Sequence, residues 1–220
     1  MEVYKHLKTL DLACGDGGFN EILACSNRLE RGSWLDLYGN EDTFGIDYNG
    51  AEIKRAGQQI CNGTRFIVAD ACALPFEHGY FNHVHLFGGL HHMKKWKWAV
   101  SEIDRVTTPD ATLDITDTVD NWPLFKVTRR IAGKWDGSPI TGYFTSQQLL
   151  LEFGQYFHVK RISYHHRPFI CDTLRMFDKE PQISLKLLAK LDTVLKKIGI
   201  DEFTACHMVM WCDGKNKGKE

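Results

Sequence analysis

Two rhythms of hydrophobic and polar positions alternate through the first half of the chain. Thr9–Ala13, Thr43–Asp47 (TFGID), Arg65–Asp70 (RFIVAD), Phe81–Phe87 (FNHVHLF) and Ala111–Asp117 (ATLDITD) are short runs bounded by turn residues, and each predicts a buried strand. Between them, apolar residues recur at helical spacing. Phe19, Ile22, Leu23 and Leu29 do so in Gly18–Leu29, and Ala51, Ile53, Ala56 and Ile60 in Asn49–Ile60. Ala99, Val100, Ile103 and Val106 share one face of Trp96–Val106. Strands alternating with amphipathic helices predict an α/β fold: a doubly wound, mostly parallel sheet with helices on both faces.

The pattern loosens afterwards. Val119–Thr145 holds Trp122, Phe125, Trp135, Tyr143 and Phe144, interrupted by prolines and glycines. It fits a lid or a loop-rich cover of the core equally well. Ser146–Phe153 predicts a helix capped by Thr145 or Ser146. Phe157–Tyr164 and Phe203–Cys212 predict two further strands, and Asp213–Glu220 a polar tail. Ile183–Ile198 is amphipathic, with Leu185, Leu188, Leu191, Val194 and Leu195 opposite lysines, a stripe read as core packing. The chain therefore reads as one domain over 1–220, with its core at 9–117 and a lid or substrate segment at 118–145.

Composition narrows the function classes. Residues that are 43% hydrophobic and 25% charged exclude a chain disordered throughout. With 27 Lys+Arg against 28 Asp+Glu, the net charge of -1 offers a polyanion no global attraction, which argues against a nucleic-acid partner. No apolar run approaches the ~18 residues of a membrane helix, and the start, MEVYKHLKTLDLACG, has no signal-type core. The 7 cysteines include no C-x-x-C pair, so zinc-ribbon and thioredoxin chemistry lack their ligands. They read as small buried residues of a reduced, cytoplasmic protein.

The chemistry concentrates at Thr9–Phe19, TLDLACGDGGF, where a strand runs into Gly15, Gly17 and Gly18. Such glycines let a ligand approach the main chain. The spacing is not the G-x-G-x-x-G of a dinucleotide site, because Asn20 stands three beyond Gly17, and no Gly-Lys-Ser/Thr is present for a phosphate loop. Acids recur at the strands: Asp11 within the first, Asp47 closing the second, Asp70 closing the third. In a doubly wound sheet the carboxyl ends of the strands line one crevice. Carboxylates there can accept ribose hydroxyls and an adenine amino group, suit a cofactor carrying a sulfonium charge, and repel a pyrophosphate.

On these residues the chain resembles the class I, Rossmann-like S-adenosylmethionine-dependent methyltransferases, most closely their small-molecule group. The likeness covers roughly Thr9–Asp117. The first motif, acidic-x-Gly-x-Gly-x-Gly, reads Asp11-Leu12-Ala13-Cys14-Gly15-Asp16-Gly17, with Ala13 in place of the first glycine. The second corresponds to Gly45-Ile46-Asp47-Tyr48-Asn49, the third to Val68-Ala69-Asp70-Ala71, and the fourth to Phe81-Asn82-His83-Val84 running on to Leu90-His91-His92. Asn82 stands where an acid is common, and Thr108-Pro109-Asp110-Ala111 replaces a Lys-Pro-Gly-Gly turn, with Pro109-Asp110 still suited to a type I turn. The resemblance implies about seven strands with the last antiparallel, and S-adenosylmethionine as cofactor. It implies cofactor contacts from Asp11, Ala13, Gly15, Gly17, Asp47, Tyr48, Asp70, Ala71 and Phe87. Few residues precede the first strand, where relatives carry helices that close over the cofactor.

Methyl transfer by in-line displacement needs orientation above all, and a base only where the nucleophile must lose a proton. His85, His91 and His92 lie nearest the fourth strand's end. Of the adjacent His91 and His92, one is expected to face the cleft and serve catalysis. No ligand spacing marks a metal site. A small-molecule acceptor is the leading expectation. An RNA or protein acceptor, or a cofactor-binding regulatory module without turnover, stays open, as does the oligomeric state.

Overall fold

A computed structural model describes residues 7–17, 35, 39–60, 62–121, 144–165, 193–194, 197–199 and 207–216. Within these, the strands are β1 (Thr9–Leu12), β2 (Thr43–Asp47), β3 (Arg65–Val68), β4 (Phe81–Phe87), β5 (Thr107–Thr118), β6 (Phe157–His165) and β7 (His207–Lys215). Helices α1 (Gly50–Gln59), α2 (Trp96–Val106) and α3 (Ser146–Phe153) punctuate them, with a single 3₁₀ turn at Leu90–His92. The expected helix at Gly18–Leu29, most of Ile183–Ile198 and most of the Val119–Thr145 segment lie outside the described residues.

The sheet order is β3-β2-β1-β4-β5-β7-β6. β3, β2, β1, β4 and β5 run parallel, and β7 is antiparallel to both β5 and β6. This is the Rossmann-like α/β sheet with an antiparallel last strand that the sequence predicts. From β1 the chain winds outward through β2 and β3, then returns to β4 and winds the other way. The direction of winding therefore reverses between β1 and β4, the switch point where such sheets bind ligands.

The two faces of the sheet differ in chemistry. One carries Leu10, Leu12, Phe44, Ile46, Val84, Leu86, Leu113, Ile115 and Met210, all buried against Ala99, Val100 and Ile103 of α2 and Leu149 and Phe153 of α3. The alternate positions place Thr9, Asp11, His83 and His85 on the opposite face, also buried. There the His83 ring Nδ1 meets Thr112 Oγ1 at 2.8 Å.

Local signals explain the boundaries. The Asn49 side chain accepts the Ala51 N–H and starts α1. Thr145 and Gln148 form a reciprocal capping box at α3. β1 stops at Leu12 because Ala13 turns to φ 59. Two expectations need correction. The fifth strand starts at Thr107 and not at Ala111: β5 already pairs with β4 at Thr107, and Thr108–Ala111, with Pro109-Asp110 among them, bulge out opposite Asn82 alone. A bulge tolerates a residue with no N–H to donate. The polar tail also begins later, since Asp213–Lys215 belong to β7. Their charges are met by neighbours, Asp213 by Lys160 at 3.0 Å and Lys215 by Asp104 at 3.3 Å.

Candidate functional site

The loop leaving β1 turns back on itself through three left-handed residues, Ala13 (φ 59), Gly15 (φ 56) and Gly17 (φ 72). Cys14 N–H donates to Ile46 O at 3.0 Å, tying the loop to β2, and Gly17 N–H donates to Cys14 O at 3.0 Å. At Gly17 a Cβ would stand 2.4 Å from Ile60 Cδ1, whereas at Gly15 it would meet nothing within 4 Å among the described residues. The crest of the loop thus faces open space, the setting in which a ligand can lie directly on main chain. Ala13 holds its left-handed conformation at a cost of about 1–2 kcal/mol that glycine escapes.

Asp47 closes β2 and organises this loop. Its Oδ2 accepts Gly15 N–H at 3.0 Å, and its Oδ1 accepts Asn49 N–H at 2.8 Å. Each oxygen keeps a second lone pair. Beside it Tyr48 is 77% exposed and Val68 54% exposed, an uncovered aromatic and aliphatic pair on the same edge. Asp70 is exposed two residues beyond the end of β3 and accepts Cys72 N–H at 2.8 Å. Asp47 and Asp70 share one edge of the sheet, for Asp47 pairs with Val68 and its carbonyl accepts Ala69 N–H at 3.0 Å.

The other expected cofactor residues divide. Phe87, at the end of β4, is half-buried. Ala71, next to Asp70, is buried and packs with the core. Asp11 is also buried, and burial first, then the nearby charge of Asp47, pushes its carboxyl well above the ordinary range. It acts from beneath the loop. Asn82, where an acid is common among relatives, sits near the amino end of β4, against Lys8, away from the crevice.

Next to this half of the edge, Gly88 and Gly89 turn the chain from β4 into Leu90–His92. A Cβ on Gly89 would lie 2.5 Å from the Ala13 methyl, so the two loops touch. The His91 ring packs over Gly88, with Cε1 3.8 Å from where a Cβ would stand. Its Nδ1 meets Asp117 Oδ1 at 2.7 Å. Asp117 is fully buried near the end of β5 and also accepts Leu90 N–H at 2.8 Å and Thr118 N–H at 2.6 Å. Burial alone pushes its carboxyl up. The His91 ring, with the hydrogen bonds from His91, Thr118 and Leu90, outweighs burial and holds it below the usual carboxylate range.

His92 is exposed, its ring 4.0 Å from that of His91. His85 is buried in the sheet, whereas His91 meets both the edge and the Asp117 carboxylate. Sequence reading missed Asp117 as a site residue, although ATLDITD ends in an acid just as TFGID and RFIVAD do. It also missed a clamp behind the third strand. Arg105 donates to Leu74 O at 2.8 Å, Phe76 O at 2.7 Å and Glu102, whose Oε2 accepts Leu74 N–H at 2.7 Å. Trp96 and Phe144 pack on each other in the core, ring centroids 4.9 Å apart.

Comparisons with known proteins agree with this layout. A family profile described as "Methyltransferase domain" matches residues 10–115. The chain is 29% identical over 129 residues to a demethylmenaquinone methyltransferase of Staphylococcus aureus, covering 57% of this chain and 49% of that protein. It thus spans about half the length of that relative. It is 28% identical over 199 residues to the ubiquinone/menaquinone biosynthesis C-methyltransferase UbiE of Neisseria meningitidis, covering 87% of this chain and 74% of the relative. In fold it is similar to an S-adenosylmethionine-dependent methyltransferase from Mesorhizobium loti, with TM-score 0.65, 13% identity and coverage of 97% and 93% of the two chains.

Proposed function

We propose that the chain, whose residues 10–115 match a methyltransferase domain, is a class I methyltransferase that transfers a methyl group from S-adenosylmethionine to a small-molecule acceptor. The observation that carries this reading is the Asp47 carboxylate, held against the left-handed loop by Gly15 N–H at 3.0 Å, with lone pairs to spare. The residues fit the cofactor. Asp47 holds the ribose hydroxyls, and Asp70 with the exposed Tyr48 and Val68 receives the base. The main chain at Ala13–Gly17 receives the rest, and the Asp47 carboxylate favours a cation above it. Bound there, S-adenosylmethionine supplies an electrophilic methyl on a positively charged sulfur.

The protein's own task is orientation and exclusion of water. Both curated relatives are named for methylation in quinone biosynthesis, which favours a small molecule over a polymer. The net charge of -1 favours it too. Thermal melting in increasing S-adenosylmethionine or S-adenosylhomocysteine tests the reading. A ligand at about 100 times its Kd adds about 2.7 kcal/mol, so both nucleosides are expected to raise the midpoint by several degrees while NAD does not. Equal melting curves with and without the sulfur nucleosides would refute it.

A further inference from the structure

We propose that Glu102 and Arg105 of α2 are positioning residues for Asp70, and that through them the chain selects a cofactor whose base carries a 6-amino group. The inference rests on the methyl-transfer reading above and assigns a role at that site to two residues that touch no ligand.

Asp70 depends on support from elsewhere. Residues 69–80 form neither helix nor strand, so no ladder holds the carboxylate assigned to the base. Its own turn is local: Cys72 N–H donates to Asp70 Oδ1 at 2.8 Å, and Ala73 N–H to Asp70 O at 3.0 Å. That turn fixes Asp70 relative to the residues just after it, and Leu74 is where α2 fixes those residues in turn. Glu102 Oε2 accepts Leu74 N–H at 2.7 Å, and Arg105 Nη2 donates to Leu74 O at 2.8 Å. Both main-chain groups of one residue are thus held by one helix. Arg105 Nη1 also donates to Phe76 O at 2.7 Å.

The pair doing this is itself locked. Arg105 Nε donates to Glu102 Oε1 and Nη2 to Oε2, each at 2.7 Å, a bidentate contact that matches the planar fork of the guanidinium. The hydrogen bonds from Arg105 hold the Glu102 carboxyl below the usual range against its partial burial, and Leu74 N–H adds to them. Apolar packing does not replace the clamp. Leu74 is buried, and Phe76 packs on Phe44 and Phe81 with ring centroids 5.1 and 4.7 Å apart. Such contacts are non-directional and do not set the orientation of the peptide groups between them. The hydrogen bonds do, and with it the direction of Asp70.

A carboxylate only accepts hydrogen bonds. A 6-amino group donates to one held in place, and a base without that group leaves the carboxylate short of a donor, which a site built for the bond penalises. If Asp70 is free to swing, the penalty disappears although its charge remains.

Calorimetry on the full chain tests this with S-adenosylhomocysteine, its analogue with hydrogen in place of the 6-amino group, and its 2′-deoxy analogue. The wild type is expected to prefer the 6-amino base by at least about 10-fold. Asp70→Ala and Arg105→Met should each bring that preference below about threefold, and the double variant should lower it no further than Asp70→Ala alone. Arg105→Lys, which keeps the charge and loses the fork, should fall between wild type and Arg105→Met. The penalty for the 2′-deoxy ribose, set by Asp47, should stay within about twofold throughout. A purely structural role would weaken all three ligands together and leave the base preference intact. That result, a preference kept above threefold in Arg105→Met, or no preference in the wild type would overturn the inference and spare the methyltransferase reading. Absence of nucleoside binding by the wild type would overturn both. Should Arg105→Met fail to fold, an unchanged preference in Arg105→Lys would overturn the inference and a reduced one would support it.

Discussion

Asp47 and Asp117 are two carboxylates at the carboxyl ends of parallel strands, and each ties down the loop that follows a neighbouring strand. Asp47 does so half-buried, from β2 to the glycine loop, with Gly15 and Asn49 as its donors. Asp117 does so fully buried, from β5 to the turn after β4, with Leu90, Thr118 and His91 as its partners. The difference lies in what is left over. Asp47 keeps accepting capacity at an open surface and can give it to a ligand, while Asp117 has committed its oxygens inside the protein and acts through the imidazole it holds. One local motif, a strand-end acid caught by backbone N–H groups, thus leaves an open acceptor on one side of the switch point and a closed one on the other.

Four perturbations separate the two halves, beginning with the most severe. Replacing Asp117 with Ala strands the buried Leu90 N–H and the part-buried Thr118 N–H, at about 1–3 kcal/mol each. Denaturant unfolding should therefore show a loss of about 2–6 kcal/mol, against no more than about 1 kcal/mol for Asp47→Ala, whose donors can turn to water. Equal losses would erase the contrast.

Acid should act on the floor beneath both loops. Burial lowers His83 from 6.5 to about 4, and burial together with the charge of His83 lowers His85 from 6.5 to about 3. Both rings stay neutral in the folded protein where the unfolded chain has already taken up protons. Their contribution is intact above 6.5 and drains away as the pH falls toward those folded values. Near pH 5 the loss amounts to about 2 kcal/mol for each ring. Asp11 opposes this: its raised carboxyl weakens the fold at neutral pH and is relieved by acid. Melting midpoints between pH 7 and 5 are expected to fall with two histidines outweighing one acid, and His83→Gln should flatten the slope. A flat wild-type profile would contradict the burial of these rings.

The seam between the halves gives the next effect. Gly89→Ala would set two methyls 2.5 Å apart, and overpacking of this kind costs about 1–3 kcal/mol. The double variant with Ala13→Gly should recover most of it, a coupling readable in a double-mutant cycle. Ala13→Gly alone should change stability least, by under about 1 kcal/mol, because relief at φ 59 is offset by the entropy of a new glycine.

Much of this was readable from residues alone. The bounds of β4, α2 and α3 coincide with their apolar patterns, because packing decides those positions and periodicity reports packing. The glycine loop and Asp47 announced themselves through adjacent residues. Asp117 did not, since it meets His91 across 26 residues of sequence and only the β4–β5 register brings them together. Asp213–Lys215 looked like a tail because hydropathy cannot see Lys160 and Asp104, the partners that make charged strand residues tolerable.

A calorimetric titration of S-adenosylhomocysteine into the wild type and Asp47→Ala reaches the centre of the account. Micromolar binding is expected for the wild type. The loss of two hydrogen bonds to a charged group should weaken the variant by about 100-fold or more. No heat from the wild type, or equal affinity in a folded Asp47→Ala, would contradict it.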